Sequence, residues 1–250
     1  MLNNATVEHA VVNDCQAVFI VPTRDTPESG FGLLLSCLGA DTLFQRFPDW
    51  VAVWAEAGYL IASYDFLDHR YTWGADGAIV TLDALYTQAR AGWPVKPRPA
   101  ICGSSRGGLT GLVWAHRHRG LPIGWFGMNP VMELRTFYDQ PGRAAQLNAA
   151  HGVSSKDELV HDVCPRANPV QLAPDLSWLP MCTWQGREDR VTPPEDLALF
   201  EAAVRAVGGT HTTVLGPGGH ATAEGPRYQF DAPAQLAFVR EHESVGGDSA

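Results

Sequence analysis

The chain of 250 residues has little cysteine, little charge and no long apolar run. Its five cysteines (Cys15, Cys37, Cys102, Cys164 and Cys182) are odd in number and far apart, with no Cys-x-x-Cys pair. That spacing argues against a disulfide framework or a zinc ribbon and predicts buried thiols in a reducing compartment. No stretch of about 18 apolar residues occurs, and Met1 to Glu8 is polar, so neither a spanning helix nor a secretory leader is expected. A cytoplasmic protein without membrane attachment is the resulting expectation. Positive charge is scarce: 18 Lys and Arg against 27 Asp and Glu give a formal net charge of −9. This leaves no basic footprint for nucleic acid. The one basic cluster, His116-Arg117-His118-Arg119, falls at the end of a helical pattern, where cations complement the helix dipole. Internal repeats and low-complexity segments are also missing.

What is present is enough apolar material for one sizeable core, 45% of residues, with only 18% charged. Glycine and proline, 25 and 18 residues, punctuate it. Two strand-like runs, Thr6–Val12 and Gln16–Pro22, predict an antiparallel start, and Phe31–Cys37 reads as a central strand. Short apolar runs then alternate with helical spacing. Helices are expected at Pro48–Ala57, Ala78–Ala91 and Arg106–His118, and strands at Leu60–Tyr64, Ala100–Cys102 and Ile123–Met128. This alternation predicts an α/β fold, a mostly parallel sheet with helices on both faces. It stops at Asn129-Pro130. Residues 131–178, broken by Gly142, Gly152, Pro165, Pro169 and Pro174, read as an excursion serving as a connection, a cap or a lid. The pattern resumes with strand Met181–Gln185, helix Pro194–Val207, strand His211–Leu215 and helix Ala232–His242. The expected organisation is a single domain over 1–250 with an insertion at 131–178.

Within Ala100 to Gly111, the segment Gly103-Ser104-Ser105-Arg106-Gly107 fits Gly-x-Ser-x-Gly between a short apolar strand and an apolar helix. A serine thrown out on so tight a turn needs neighbours almost without side chains. Ser105 is the candidate nucleophile. A nucleophilic serine needs a base for its proton and an acid to orient that base. Asp189, in Gly186-Arg187-Glu188-Asp189-Arg190-Val191-Thr192-Pro193, follows a strand and precedes a helix, a place where open α/β sheets bind ligands. Glu188 is the fallback acid, and Thr192 is expected to cap the helix opened by Pro193 and Pro194. His220, in Gly216-Pro217-Gly218-Gly219-His220, follows the last strand on a loop whose small residues allow close approach. The other histidines fall on helix surfaces, on strands or in the inserted region.

These residues together resemble the α/β-hydrolase superfamily from about Thr6 to His242. Within it the chain is similar to the prolyl oligopeptidase and dienelactone hydrolase-like branches, through the doubled Gly107-Gly108 and through Asn168-Pro169-Val170 ahead of the acid strand. The resemblance implies an eight-stranded α/β-hydrolase fold with a short inserted cap. It also implies a Ser105–His220–Asp189 triad and an oxyanion hole of two backbone N–H groups, Arg106 with Leu38 or Gly39 from Cys37-Leu38-Gly39-Ala40. No metal or organic cofactor is called for.

The Arg106 side chain is expected either to pair with Asp65 or Asp68 or to hold a substrate carboxylate. Tyr71 and Trp73 are candidate substrate contacts, whereas Trp125 and Trp184 are expected in the core. The reading reached is a serine esterase acting on a small ester or acyl substrate, with a homodimer as the candidate assembly. Its alternatives are a peptidase or amidase, for which Glu133 and Asp139 are candidate amine-binding groups, a thioesterase, and a non-catalytic binding protein of the same fold.

Overall fold

A computed structural model describes residues 4–39, 47–65, 69–220 and 230–245. Asp68, Ala40 and the polar tail after residue 245 therefore lie outside the described residues. The strands are β1 (Ala5–Val12), β2 (Cys15–Pro22), β3 (Gly32–Cys37), β4 (Tyr59–Tyr64), β5 (Ala100–Ser104), β6 (Gly124–Met128), β7 (Met181–Gly186) and β8 (His211–Gly216). They form one sheet in the order β1-β2-β4-β3-β5-β6-β7-β8. β2 alone runs against the others, pairing antiparallel with both β1 and β4. The β1–β2 hairpin closes over Asn13 and Asp14, both at positive φ (48° and 64°), the backbone that a two-residue type I′ turn requires.

Burial explains which runs sit where. β3, β4 and β6 are buried along their whole length, as continuous apolar strands covered on both faces must be. β8 instead alternates between half-buried and exposed residues, the pattern of an edge strand. Successive side chains of β3 enter opposite layers, Leu33 and Leu35 one core and Leu34 the other. The larger core lies under helices α2 (Asp76–Gly92), α3 (Arg106–Arg117) and α6 (Pro194–Ala206). The smaller core is closed by α1 (Pro48–Glu56) and α7 (Ala232–Val245), the latter with Leu236 and Val239 turned inward.

The insertion between β6 and β7 carries α4 (Leu134–Tyr138), α5 (Arg143–His151) and short helical turns from Lys156 to Leu176. It does not stand off the sheet. Leu134, Phe137, Leu147, Leu159, Val163, Leu172 and Leu176 all belong to the larger core. Its two ends are pinned together by Asn168, whose Oδ1 accepts from Leu134 N (2.8 Å) and whose Nδ2 donates to Glu133 Oε1 (3.0 Å). Its α4 corner reaches toward the acid loop, with Gln140 Nε2 on Val191 O (2.8 Å) and Thr136 Oγ1 on Asp196 Oδ2 (2.7 Å). All five cysteines are buried thiols.

Candidate active site

β5 ends at Ser104 and α3 begins at Arg106, so the whole reversal falls on Ser105, at φ 53° and ψ −123°. A non-glycine residue held there is strained and needs neighbours that over-determine it. Ser105 N donates to Met128 O (3.0 Å), and Ser105 O accepts from Gly108 N and Val131 N (3.1 Å each). The turn also depends on missing side chains. A Cβ on Gly103 would overlap the Gly107 carbonyl, one on Gly107 would overlap the Cys37 carbonyl oxygen, and one on Gly108 would meet Pro130 Cβ at 2.6 Å. The first turn of α3 is thereby pressed against the Cys37 carbonyl that ends β3.

Gly186 and Gly216 end the β7–β8 pair in register. Pairing continues past the sheet, with Arg187 N on Gly216 O (3.0 Å) and Glu188 N on Gly218 O (3.1 Å). This zips the loop after β8 onto the loop after β7 and carries His220 back to the serine, 115 residues earlier in the chain. His220 Nε2 lies 3.0 Å from Ser105 Oγ, and His220 Nδ1 lies 2.8 Å from Asp189 Oδ2. The Asp189 side chain is fully buried and that of His220 is 21% exposed.

Asp189 is gripped by five donors, the weakest being Gln185 Nε2 on Oδ2 (3.4 Å). Its Oδ1 accepts from Val191 N (2.8 Å) and Thr192 N (3.0 Å), while its Oδ2 accepts from Thr192 Oγ1 (2.8 Å) as well as from His220. Burial alone would raise its pKa, but the bonds and charge from His220 and the bonds from Thr192 outweigh that and hold it below the usual carboxylate range. An ionised Asp189 accepts only, so Nδ1 of His220 carries the proton and Nε2 is left as the acceptor facing the serine hydroxyl.

Several expected roles change once the side chains are placed. Thr192 does not cap α6; Pro193 occupies that position, and the Thr192 hydroxyl is drawn instead into the Asp189 carboxylate. Glu188 does not reach His220 but accepts from Gly218 N, bracing the histidine loop. Glu133 is buried against Arg135 and Asn168 and so is closed to an amine, whereas Asp139 is exposed and pairs with Lys156. Trp73 is buried and offers no exposed face; the Arg106 guanidinium lies over its ring at 5.8 Å. Tyr71 lines a separate cavity of about 440 Å³ with Asn13, Asp76, His151 and Arg166, and Ser105 and His220 are not part of that wall. Trp125 and Trp184 are core residues.

Asn129 is the residue that sequence reasoning passed over. It is buried at φ 45° just after β6. Its N–H donates to Trp184 O (2.9 Å), its Oδ1 accepts from Gly186 N (2.9 Å), its carbonyl oxygen lies 3.2 Å from Thr192 Oγ1, and its Nδ2 faces Gly219 O at 3.5 Å. One side chain thus fastens the acid and histidine loops to the strand beside the elbow. The signal available was Asn-Pro ending an apolar run, since asparagine tolerates positive φ better than most residues.

No protein-family model matches the chain, and no curated protein matches it in sequence. Solved structures do match it in fold. A puromycin hydrolase superposes with a TM-score of 0.75 at 21% identity, covering 96% of this chain and 39% of its own. A Pyrococcus horikoshii acylaminoacyl peptidase gives 0.71 at 14% identity, covering 97% of this chain and 42% of its own. A Thermus thermophilus protein, TT1662, gives 0.63 at 16% identity over 95% of this chain and 98% of its own. The chain therefore has the α/β-hydrolase fold and spans about two fifths of the length of the peptidases it resembles.

Proposed function

We propose that the protein is a serine hydrolase working by acyl transfer, with Ser105 as nucleophile, His220 as general base and then acid, and Asp189 as the group that fixes the imidazole. The observation that carries this reading is the unbroken run from Ser105 Oγ to His220 Nε2 (3.0 Å) and from His220 Nδ1 to Asp189 Oδ2 (2.8 Å), at a serine held in strained backbone. His220 would take the hydroxyl proton as Oγ attacks a carbonyl carbon, then pass it to the leaving group, and water would release the acyl group by the same route. The oxyanion would be met by backbone N–H groups of Arg106 and of Leu38 or Gly39. Arg106 opens a twelve-residue helix whose N-terminal dipole favours negative charge at that point.

The bond we propose is an amide, in a peptide or an acylated amine, in place of the ester the sequence alone suggested. Solved structures that share the fold include peptidases and a puromycin hydrolase, and this tilts the reading that way. A small acyl substrate, a homodimer and the absence of nucleic-acid or membrane partners remain part of the same proposal.

The test joins a fluorophosphonate label, located by mass spectrometry, to hydrolysis of matched peptide anilides and p-nitrophenyl esters. Labelling at Ser105, turnover of the anilides and loss of both in Ser105→Ala are expected. Turnover of esters alone would return the esterase reading, and a folded protein with neither label nor turnover would remove the enzyme reading.

A further inference from the structure

β8 ends the sheet, and the hydrogen bonds that hold it there show which of its groups are left over. Gly216 lies in register with Gly186, and its carbonyl accepts from Arg187 N (3.0 Å). In a strand the N–H and C=O of one residue point to the same side and those of the next point to the other. Gly216, Val214 and Thr212 therefore face β7. His211, Thr213 and Leu215 turn their N–H and C=O groups outward, where no strand pairs with them among the described residues. Nothing in the strand guards these groups. His-Thr-Thr-Val-Leu-Gly holds no proline, lysine or carboxylate, the residues that commonly protect an edge, and Val214 (40%) and Leu215 (47%) are exposed. β1, at the other end of the sheet, carries Glu8 near its middle.

α6 runs antiparallel to β8 along this edge, and the two leave a groove made of two hollows. One, of about 290 Å³, is lined by Pro194, Glu195, Ala198 and Leu215 among others; the second, of about 300 Å³, by Arg205, Gly209, His211 and Thr212 among others. Glu201 belongs to both walls and marks the midpoint of the groove. Its carboxylate is occupied within its own chain, by the Thr213 hydroxyl and by His211 Nδ1 at 3.1 Å. The groove thus has a direction of charge. Glu195 stands at the Leu215 end, and Arg205, whose side chain is 74% exposed, stands at the His211 end. A two-fold axis through Thr213, normal to the sheet, reverses that direction, so the acidic end of the groove in one copy meets the basic end in the other.

We propose that two copies of this chain join through β8, antiparallel about a two-fold axis at Thr213, and so make one continuous sheet. Thr213 pairs with its own copy and His211 with Leu215 of the copy, so every outward N–H of the strand finds an outward C=O. On the opposite face Thr212 comes against Val214 of the copy, a β-branched pair of the kind that stabilises neighbouring strands. The same operation sets Glu195 toward Arg205 of the copy, once on each side of the axis. A two-fold contact consumes both edges and stops at two copies, which keeps an unguarded edge from recruiting further chains. The pairing names the surface of the homodimer proposed above and uses none of the serine chemistry.

Sedimentation velocity of the full chain between about 1 and 100 μM is expected to show a dimer. Cysteine substitution reads the register. Thr212→Cys protein mixed with Val214→Cys protein should form an intermolecular disulfide on mild oxidation, and neither variant alone should, because the pairing sets position 212 against 214 and not against itself. The five native thiols are buried and stay out of this reaction. Thr213→Pro removes the central N–H, which bonds to nothing within a single chain, and should weaken the dimer about tenfold or more while the urea midpoint stays near that of wild type. Should that variant not fold, Val214→Lys, at an exposed position, carries the same expectation. A monomer throughout the range overturns the homodimer and its surface together. A dimer without the 212–214 disulfide, or one indifferent to both substitutions, keeps the homodimer and overturns the β8 pairing, as does an open-ended aggregate.

Discussion

Asn129 carries more of the site's geometry than any residue outside the Ser105–His220–Asp189 run. Replacing it with alanine removes the acceptor for the buried Gly186 N–H and the tether to the Gly219 loop. An unsatisfied buried donor costs about 1–3 kcal/mol, and the loss falls on the loops that hold Asp189 and His220. The expected result for Asn129→Ala is a fall in kcat of roughly 10- to 100-fold with KM little changed, since the defect lies in orientation and not in substrate contact. Steady-state kinetics on a peptide anilide decide this, and a change confined to KM would contradict it. Asp189→Asn acts at the same scale by another route. With an amide facing Nδ1, the imidazole is no longer held as the tautomer that accepts from Ser105, and kcat should drop by about 10⁴. The rate of fluorophosphonate labelling should fall with it.

At the scale of elements, the elbow and the insertion are each secured by a contact with no slack. Gly107 is the point where the first turn of α3 rests on the carbonyl ending β3, and a methyl group there overlaps backbone that cannot move aside. Gly107→Ala should destabilise the fold by about 3 kcal/mol or more, as overpacking against rigid backbone does. Urea denaturation would read that as a lower midpoint, and a midpoint equal to wild type would show that the strand and helix are not so tightly seated. Glu133 plays the matching part in the insertion. It caps α4 through Arg135 N (2.9 Å), pairs with the Arg135 guanidinium and accepts from Asn168. Glu133→Gln keeps the shape but loses the charge, so a loss of about 1–3 kcal/mol is expected on the same measurement.

For the molecule as a whole, the carboxylates set the response to acid. Burial would raise Asp189 and Glu133, yet bonds from His220 and Thr192 on one, and from Arg135 and Asn168 on the other, bring both below the usual range. Hydrogen bonds from His211 to Glu201 and from Arg117 to Asp76 lower those two as well. A carboxylate depressed in the fold stabilises it above the unfolded pKa, about 4, and that stability is lost as pH falls through the lower folded value. Asp196 works the other way. Burial raises it despite the bond from Thr136, so its share is present at low pH and lost as pH rises through the raised value. With Glu158 lowered as well by bonds from Ser154, five carboxylates are lowered against one raised among the described residues, and the urea midpoint should fall steadily as pH drops from about 5 to 3. A flat or rising midpoint over that window would count against the charge states assigned to these groups.

The extent of legibility follows from what each signal depends on. Strand and helix periods are local, so β3, β5 and α3 lie within a residue or two of where apolar spacing and turn residues put them. The Gly-x-Ser-x-Gly turn was legible for the same reason, because its steric demand falls on the residues that carry it. Ser105, Asp189 and His220 could be named as candidates from their places after strands. Their distances could not, because the approach of His220 comes from pairing between two loops and from Asn129. Thr192 shows a limit of a different kind: it reads as a helix cap, and the turn of its own loop brings the carboxylate of Asp189, three residues earlier, to its hydroxyl instead. The tilted Trp73–Phe137 ring contact joins residues 64 positions apart, and no local pattern announces it. The sequence by itself determined the layered α/β class, the elbow and which residue types were available for chemistry, since those follow from neighbours along the chain. The tertiary structure alone decided which of them meet and that Asp189 stays buried against His220, since these are contacts between segments that the chain keeps far apart.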